Sequence, residues 1–414
     1  MASDRWTLRS LYSIASYING RATKSSEVVG DGVPVIKIAE LNRGITSQTA
    51  RVDASVIEDR HWVVDGDLLF AWSGTVGVHI YRGERAALNQ HIFRVVAGDG
   101  VDQRFLRYLL QAQLPTFKRY VAAKRTTMGH VTVRDLRETN VLVPPTSEQH
   151  AIASVLGALD DKIESNRRLA AHSKTLLATW FQRIARSAAE RQRVVDIAYE
   201  VRRRIHPAKQ PTEIFEQFSI PAFDAGRGPE ICTGADMASA KTLLPDEPAI
   251  LVSKLNPRTK RVWWPERLGI GRAVCSPEFV ALVPRDPSDA AWLFGCAAFD
   301  STFYGQVLAA VSGTTGSRQR VKPADVLSAT IPVVAPQERA GWESIARDIR
   351  RQSVTLLRES RTLSAIRDAL LPKLVSGQIR VPLSDDPDEM VGAAVEGLER
   401  EARELEGRAL RDAK

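Results

Sequence analysis

Four stretches of the chain hold residue types that could do chemistry. Residues 313–320, GTTGSRQR, have the glycines of a phosphate-cradling loop. They lack the G-x-x-x-x-G-K-[ST] order by which backbone N–H groups and a lysine grip the phosphates of ATP. Residues 72–79, WSGTVGVH, are also glycine-rich, yet they lie between strand-like segments, with no helix N-terminus to receive a phosphate. Asn256-Pro257 in KLNPRTK is followed by Arg258, where the Asn-Pro-Pro-aromatic signature of amino-group methylation needs a second proline. In LLPDEPAILVSK, Asp246 and Glu247 precede Lys254, but Val252 and Ser253 stand where metal-dependent nuclease chemistry needs another carboxylate. All four read as turns or loops.

The remaining residues add no reaction centre. The seven histidines are scattered, and Cys232, Cys275 and Cys296 lie far apart with no zinc spacing. No G-x-S-x-G elbow and no G-x-G-x-x-G opening a βαβ unit is present. The residues describe a binding protein rather than an enzyme, with no cofactor or metal of its own. The net charge is +8 and the tail from Ser384 is acidic, so the body is more basic than the total and suits a phosphate-rich partner. No apolar run reaches the roughly 18–20 residues that cross a bilayer. The N-terminal MASDRWTLRS lacks a signal-peptide pattern, so a cytoplasmic location and no membrane partner are expected.

Such residues need elements to position them, and 414 residues are too many for one ordinary core. An internal repeat supplies the organisation. VTVRDLRETNVLVPPTSEQ (131–149) resembles VKPADVLSATIPVVAPQER (321–339), with Asp135 over Asp325 and Glu148 over Glu338, an offset of 190 residues. After each proline signal comes an apolar stripe. In the first it runs through Ile152, Leu156, Leu159, Ile163, Ala170, Leu177, Trp180 and Ile184, with Asn166 and Ser173 on the same seam. In the second it runs through Trp342, Ala346, Ile349, Leu356, Leu363, Leu370 and Leu374, and Pro372 with Gly377 is expected to close it. Alternating steps of four and three over several heptads predict two long helices that bury their seams against each other. Thr146 and Gln149 fit a capping box at the first start. Asn166 reads as a register-setting seam residue. By the offset, polar Asn166 and Ser173 correspond to apolar Leu356 and Leu363. Residues 33–39, 67–71, 249–255 and 278–284 have strand character; 105–123 and 290–299 read as helices. The fold class is mixed α+β, ordered globule, long helix, globule, long helix.

GDLLFAWSGTVG (66–77), LNQHIFRV (88–95), VPPTSEQHAIASVLGALDDKIESNRRL (143–169), VAPQER (334–339) and LLPKLVSGQIRV (370–381) together resemble the specificity (S) subunits of type I restriction–modification systems. The likeness runs to about residue 381. It implies a target recognition domain at 1–145, a central conserved helix at 146–187, a second recognition domain at 188–335 and a C-terminal conserved helix at 336–381. An acidic tail at 382–414, helical or frayed, lies outside it. In that family each recognition domain reads half of a split, asymmetric sequence in double-stranded DNA, and the paired antiparallel helices set the gap. Two copies of a modification subunit dock on the scaffold, and a restriction/translocase subunit completes some complexes. S-adenosylmethionine, ATP and Mg are carried by those partners. The second half departs from the pattern, with VVAPQER for the double proline and DEPAILVSKLN for the glycine loop.

Phosphate contacts position a protein on DNA and base-edge contacts specify the site. For the first task the candidates are Lys24, Arg43, Arg51, Lys124 and Arg125, then Arg258, Lys260, Arg261, Arg318, Arg320 and Lys322. For the second they are Asn42, Gln48, Thr126, Thr127 and His130, then Asn256, Thr314, Thr315 and Gln319. The alternatives are a coiled-coil adaptor whose globules bind protein, an S subunit with only one working recognition domain, and a self-contained methylase or nuclease, against which the missing motifs count.

Overall fold

A computed structural model describes residues 5–123, 129–226, 228–311, 319–384 and 386–412, without the side chains of 401–402 and of 404 onward. The chain divides into two compact units, residues 1–163 with 362–414, and residues 164–361. No helix among the described residues is long and apolar enough to cross a membrane.

In unit 1 the buried run Leu68–Ala71 pairs with Gly77–Ile80 and with Ile92–Ala97, which pairs in turn with Ala15–Asn19. A second sheet joins Val28–Val29, Arg51–Val52, Val33–Ile36, Ala86–Leu88 and Trp62–Val63, its only parallel pair lying between Val33–Ile36 and Ala86–Leu88. Unit 2 repeats the plan. Ala198–Glu200, Phe279–Pro284, Ile250–Ser253 and Val262–Trp263 form the four-stranded sheet. A five-stranded sheet again holds one parallel pair, Ile214–Phe218 with Arg272–Cys275. The fold is mixed α+β, as the sequence predicts.

Residues 105–123 form two helices rather than one, Gln103–Ala112 and Leu114–Ala123. Pro115 provides the reason, because it has no N–H to donate to the Gln111 carbonyl and its ring crowds that carbonyl, while the first turn of a new helix tolerates it. Asp102 starts the first of these helices by accepting from the Phe105 N–H at 2.8 Å. The repeat is visible at the next helix in each unit. Asp135 accepts from the Thr132 N–H at 2.6 Å and Asp325 from the Lys322 N–H at 3.2 Å, each carboxylate three residues into its helix.

The long helices run Thr146–Ala185 and Pro336–Val375, and each contributes part of its length to each unit. In unit 1, Ile152, Leu156 and Leu159 share a core with Leu370, Leu374, Phe105 and Leu109. In unit 2, Leu177, Phe181 and Ile184 share one with Trp342, Ala346, Trp292 and Phe303. Both seams therefore open into a globule at one end, which explains the aromatic anchors. Phe181 lies 5.1 Å from Trp292 and 5.3 Å from Trp342 between ring centroids. Fully burying such side chains contributes about 1.5–3 kcal/mol each.

Within unit 2 the antiparallel pairing that the resemblance implies is present, while the start of the first helix and the end of the second differ from the sequence-based expectation. Pairing within unit 2 is antiparallel, with Trp180 beside Trp342 and Asn166 donating to Glu359 at 3.1 Å. Asn166 thus meets a polar partner, because antiparallel pairing opposes it to residues 359–360 and not to its repeat equivalent Leu356. The capping box is absent, because the helix begins at Thr146 and Gln149 falls one place too late. Buried Gln149 instead accepts from the Asp102 N–H at 2.7 Å and donates to the Gly100 and Pro144 carbonyls. Pro372 sits inside the last turn, and the chain leaves the helix at Gly377, whose φ of 73° suits glycine. The tail forms a helix, Pro387–Asp412, that buries Met390 and Ala394 in the unit 1 core.

Candidate nucleic-acid interface

One construction occurs in both units. In unit 1 the strand Leu68–Ala71 runs out into Trp72 and Ser73, and the segment before the helix Val133–Glu138 returns alongside. Ser73 bridges His130, and the Val131 N–H donates to the Trp72 carbonyl at 2.8 Å. In unit 2 the strand Ile250–Ser253 runs out into Lys254 and Leu255. Leu255 bridges Arg320, and the Val321 N–H donates to the Lys254 carbonyl at 3.1 Å. A left-handed residue follows each bridge, Gly74 at φ 63° and Asn256 at φ 45°. Asn256 is the single non-glycine residue with positive φ among those described. Asparagine tolerates this region better than other residues with a side chain. So DEPAILVSKLN turns as GDLLFAWSGT does, despite having no glycine.

The side chains at the two clamps differ. In unit 1 the Trp72 ring lies 5.5 Å from His91 and 5.8 Å from His130, and its Nε1 donates to Asn19 Oδ1 at 3.2 Å. In unit 2 the loop is pinned by Tyr304, whose hydroxyl donates to the Pro257 carbonyl at 2.7 Å. Burial raises the Tyr304 hydroxyl pKa to about 12, so it stays a donor at neutral pH. The Lys260 ammonium sits 4.7 Å from the same ring, and desolvation lowers its pKa below the ordinary lysine value.

The structure distributes the predicted contact residues unevenly. His130, Asn256, Gln319 and Arg320 belong to the clamps, the Asn256 N–H donating to the Gln319 carbonyl at 2.9 Å. Arg258 and Lys260 follow on the same loop and Lys322 starts the next helix, all three exposed. Exposed Asn42 and Arg43 end the helix Ile38–Arg43, whose Ile38 lies near Gly74. Exposed Gln48 lies five residues further on, and exposed Lys24 opens a short helical turn. Three cations are engaged within the protein. Arg51 donates to the Gly32 carbonyl at 2.6 Å and lies 3.5 Å from Glu84. Arg261 makes a two-pronged pair with Asp224 at 2.6 and 2.8 Å, which raises its pKa. Arg320 does the same with Glu278 at 3.1 and 2.8 Å. Lys124, Arg125, Thr126, Thr127, Thr314, Thr315 and Arg318 lie outside the described residues. Trp72 and Lys254, central to the clamps, were not among the predicted contacts. The 190-residue offset could have found the pair, had it been carried with eight extra residues in unit 2 between the loop and the segment that returns beside it.

The family model described as "Type I restriction modification DNA specificity domain" matches residues 3–172. The match covers 170 of the 414 residues. They contain the whole of the unit 1 clamp and the first 27 residues of the helix Thr146–Ala185. The chain is also similar to the type I restriction enzyme EcoBI specificity subunit of Escherichia coli, 32% identical over 167 residues. That alignment covers 40% of this chain and 34% of the relative, so the match spans about a third of the relative's length. Among solved structures, the S subunit of a type I restriction–modification system from M. genitalium covers 90% of this chain and 96% of its own, at 14% identity and a TM-score of 0.55. Along most of the chain the fold is thus similar to that of this solved structure. The HsdS subunit from Thermoanaerobacter tengcongensis is 16% identical over 91% of this chain and 98% of its own, with a TM-score of 0.34.

Proposed function

We propose that the whole chain is the DNA-specificity subunit of a type I restriction–modification enzyme. It reads a bipartite, asymmetric target in double-stranded DNA, one half with each unit. The observation that carries this reading is the clamp built twice with unlike side chains. Trp72, Ser73, Gly74 and His130 in unit 1 stand where Lys254, Leu255, Asn256 and Arg320 stand in unit 2. One backbone frame with two sets of side chains suits two different half-sites. Phosphate contacts fall to the exposed cations at and beyond the clamps, such as Arg43, Arg258, Lys260 and Lys322.

The scaffold holds two copies of the modification subunit, and a restriction/translocase subunit is the further partner of a complete enzyme. Leu169 and Leu176 support this role. They are 49% and 66% exposed, lie seven residues apart on one side of the helix Thr146–Ala185, and so offer an apolar stripe for another helix. The chain itself is non-catalytic and carries no cofactor; S-adenosylmethionine, ATP and Mg belong to the partners, in the cytoplasm.

The test is to express the chain with its modification subunit in cells free of other methylases and to map methylated adenine across the genome. One split motif with two unlike halves and a fixed gap is the expected result. A stable complex that methylates nothing new would overturn the reading and favour a protein-binding adaptor.

A further inference from the structure

Unit 2 contains a cavity of about 460 Å³ between its portions of the two long helices and its sheets. Two aromatic pairs line it. Trp264 and Phe294 have ring centroids 5.5 Å apart, as do Phe223 and Trp263. The charged lining is unbalanced, with Lys174, Arg350, Arg358 and Arg361 against a single carboxylate, Glu266. Glu266 lies 4.0 Å from Arg358. Burial raises its pKa, which weakens its hold on the surrounding positive charge.

Backbone carbonyls orient the arginines, beside the ion pair of Arg358 with Glu266. Arg350 donates to the Pro265 carbonyl, Arg358 to that of Arg267 at 3.0 Å and Arg361 to that of Pro229 at 3.4 Å. These bonds orient the guanidinium groups and leave their charge. Arg350 also lies over Trp264, 4.3 Å from the ring centroid. Trp264 is 9% exposed, and its Nε1, like Arg350 Nε, is a buried donor with no acceptor among the described residues. Buried donors in folded proteins almost always find a partner, so the site is short of acceptors. Its volume falls within the range of small-molecule pockets, and flat aromatic walls with a few convergent polar groups are their usual lining.

We propose that this cavity binds a flat aromatic anion of about mononucleotide size. Its ring lies against Trp264 and Phe294, and its anionic group sits among Arg350, Arg358 and Arg361. None of the clamp residues Lys254, Leu255, Asn256 and Arg320 lines the cavity.

Calorimetric titration of the full chain tests this with AMP and 1-naphthalenesulfonate as probes, and with adenosine and inorganic phosphate as the flat and charged halves alone. At least one aromatic anion should bind tenfold or more tightly than either half. Ser353→Phe, which fills the lining without removing a charge, and Arg358→Gln, at an exposed position, should each weaken that binding about tenfold. Should Ser353→Phe fail to fold, as judged by circular dichroism, the Arg358→Gln comparison still decides. Binding of phosphate as tight as that of the aromatic anions would overturn the proposal, as would indifference to Arg358→Gln, since both mean general attraction to a basic protein. No binding by either aromatic anion would mean a cavity filled only with water.

Discussion

Asp160 is the most exacting place to test how the long helices are joined within unit 1. One carboxylate accepts from Arg107 at 2.7 Å, from the Tyr108 hydroxyl at 2.9 Å and from Arg367 at 2.8 Å. It therefore ties the helix Thr146–Ala185 both to the helix Gln103–Ala112 and to the helix Pro336–Val375. The side chain of Asp160 is 15% exposed, and those of Arg107 and Arg367 are 27% and 29%. Losing one member of a fully buried pair costs about 3–5 kcal/mol, whereas exposed pairs contribute about 0–1 kcal/mol. For these partly buried groups, Asp160→Asn should cost about 2 kcal/mol. Asp161→Asn, at the exposed neighbouring position, should stay within about 0.5 kcal/mol. The assay is a double-mutant cycle of Asp160→Asn with Arg367→Met, followed by urea unfolding. The expected coupling is about 1 kcal/mol or more, because the two side chains are in direct contact. Coupling below about 0.3 kcal/mol would refute the argument, for it would mean that seam packing alone sets the pairing.

Two further predictions concern charge. Arg258→Gln, on the exposed loop after the unit 2 clamp, should weaken binding to all DNA sequences about equally and reduce the slope of log affinity against log salt by about one, as read by fluorescence anisotropy from low to moderate salt. Glu343 is buried and accepts from the N–H groups of Ala291 and Trp292, and burial raises its pKa above the ordinary glutamate value. The folded state therefore holds this proton more tightly than the unfolded state, so the contribution of Glu343 favours folding below the unfolded pKa and is lost as pH rises through the folded one. Glu343→Gln should flatten that part of the stability–pH profile in urea titrations near and above pH 4.5.

Much of this architecture was legible in the sequence because it depends on patterns that burial imposes directly. The alternation of four and three survives in the buried residues from Ile152 to Ile184, and the 190-residue offset recurs in the caps of Asp135 and Asp325. What escaped was whatever depends on a partner distant in sequence. Ser353, Ser360 and Arg367 continue the second seam at its regular spacing, but polar residues leave no apolar trace. Arg367 becomes intelligible only beside Asp160, and Gln149 only beside Gly100 and Asp102. The clamp of unit 2 was hidden for another reason. A left-handed turn announces itself through glycine, and here the conformation is held by Asn256. The acidic tail, read as helical or frayed, packs an apolar face of Val391, Val395 and Leu398 on the body of unit 1, where Ile379 lies near Gly397.

The division of the chain also orders its birth on the ribosome. Unit 2 is one continuous stretch, residues 164–361, whereas unit 1 needs both the first 163 residues and the last 53 or so. At roughly 5–20 residues per second, about 10–40 s pass between the emergence of the two parts of unit 1. Through that interval Ile152, Leu156 and Leu159 lack Leu370 and Leu374, and the nascent protein presents an open apolar seam. The last segment made is thus the one that closes the first segment's core, so a chain cut short anywhere before residue 370 leaves its beginning unfinished.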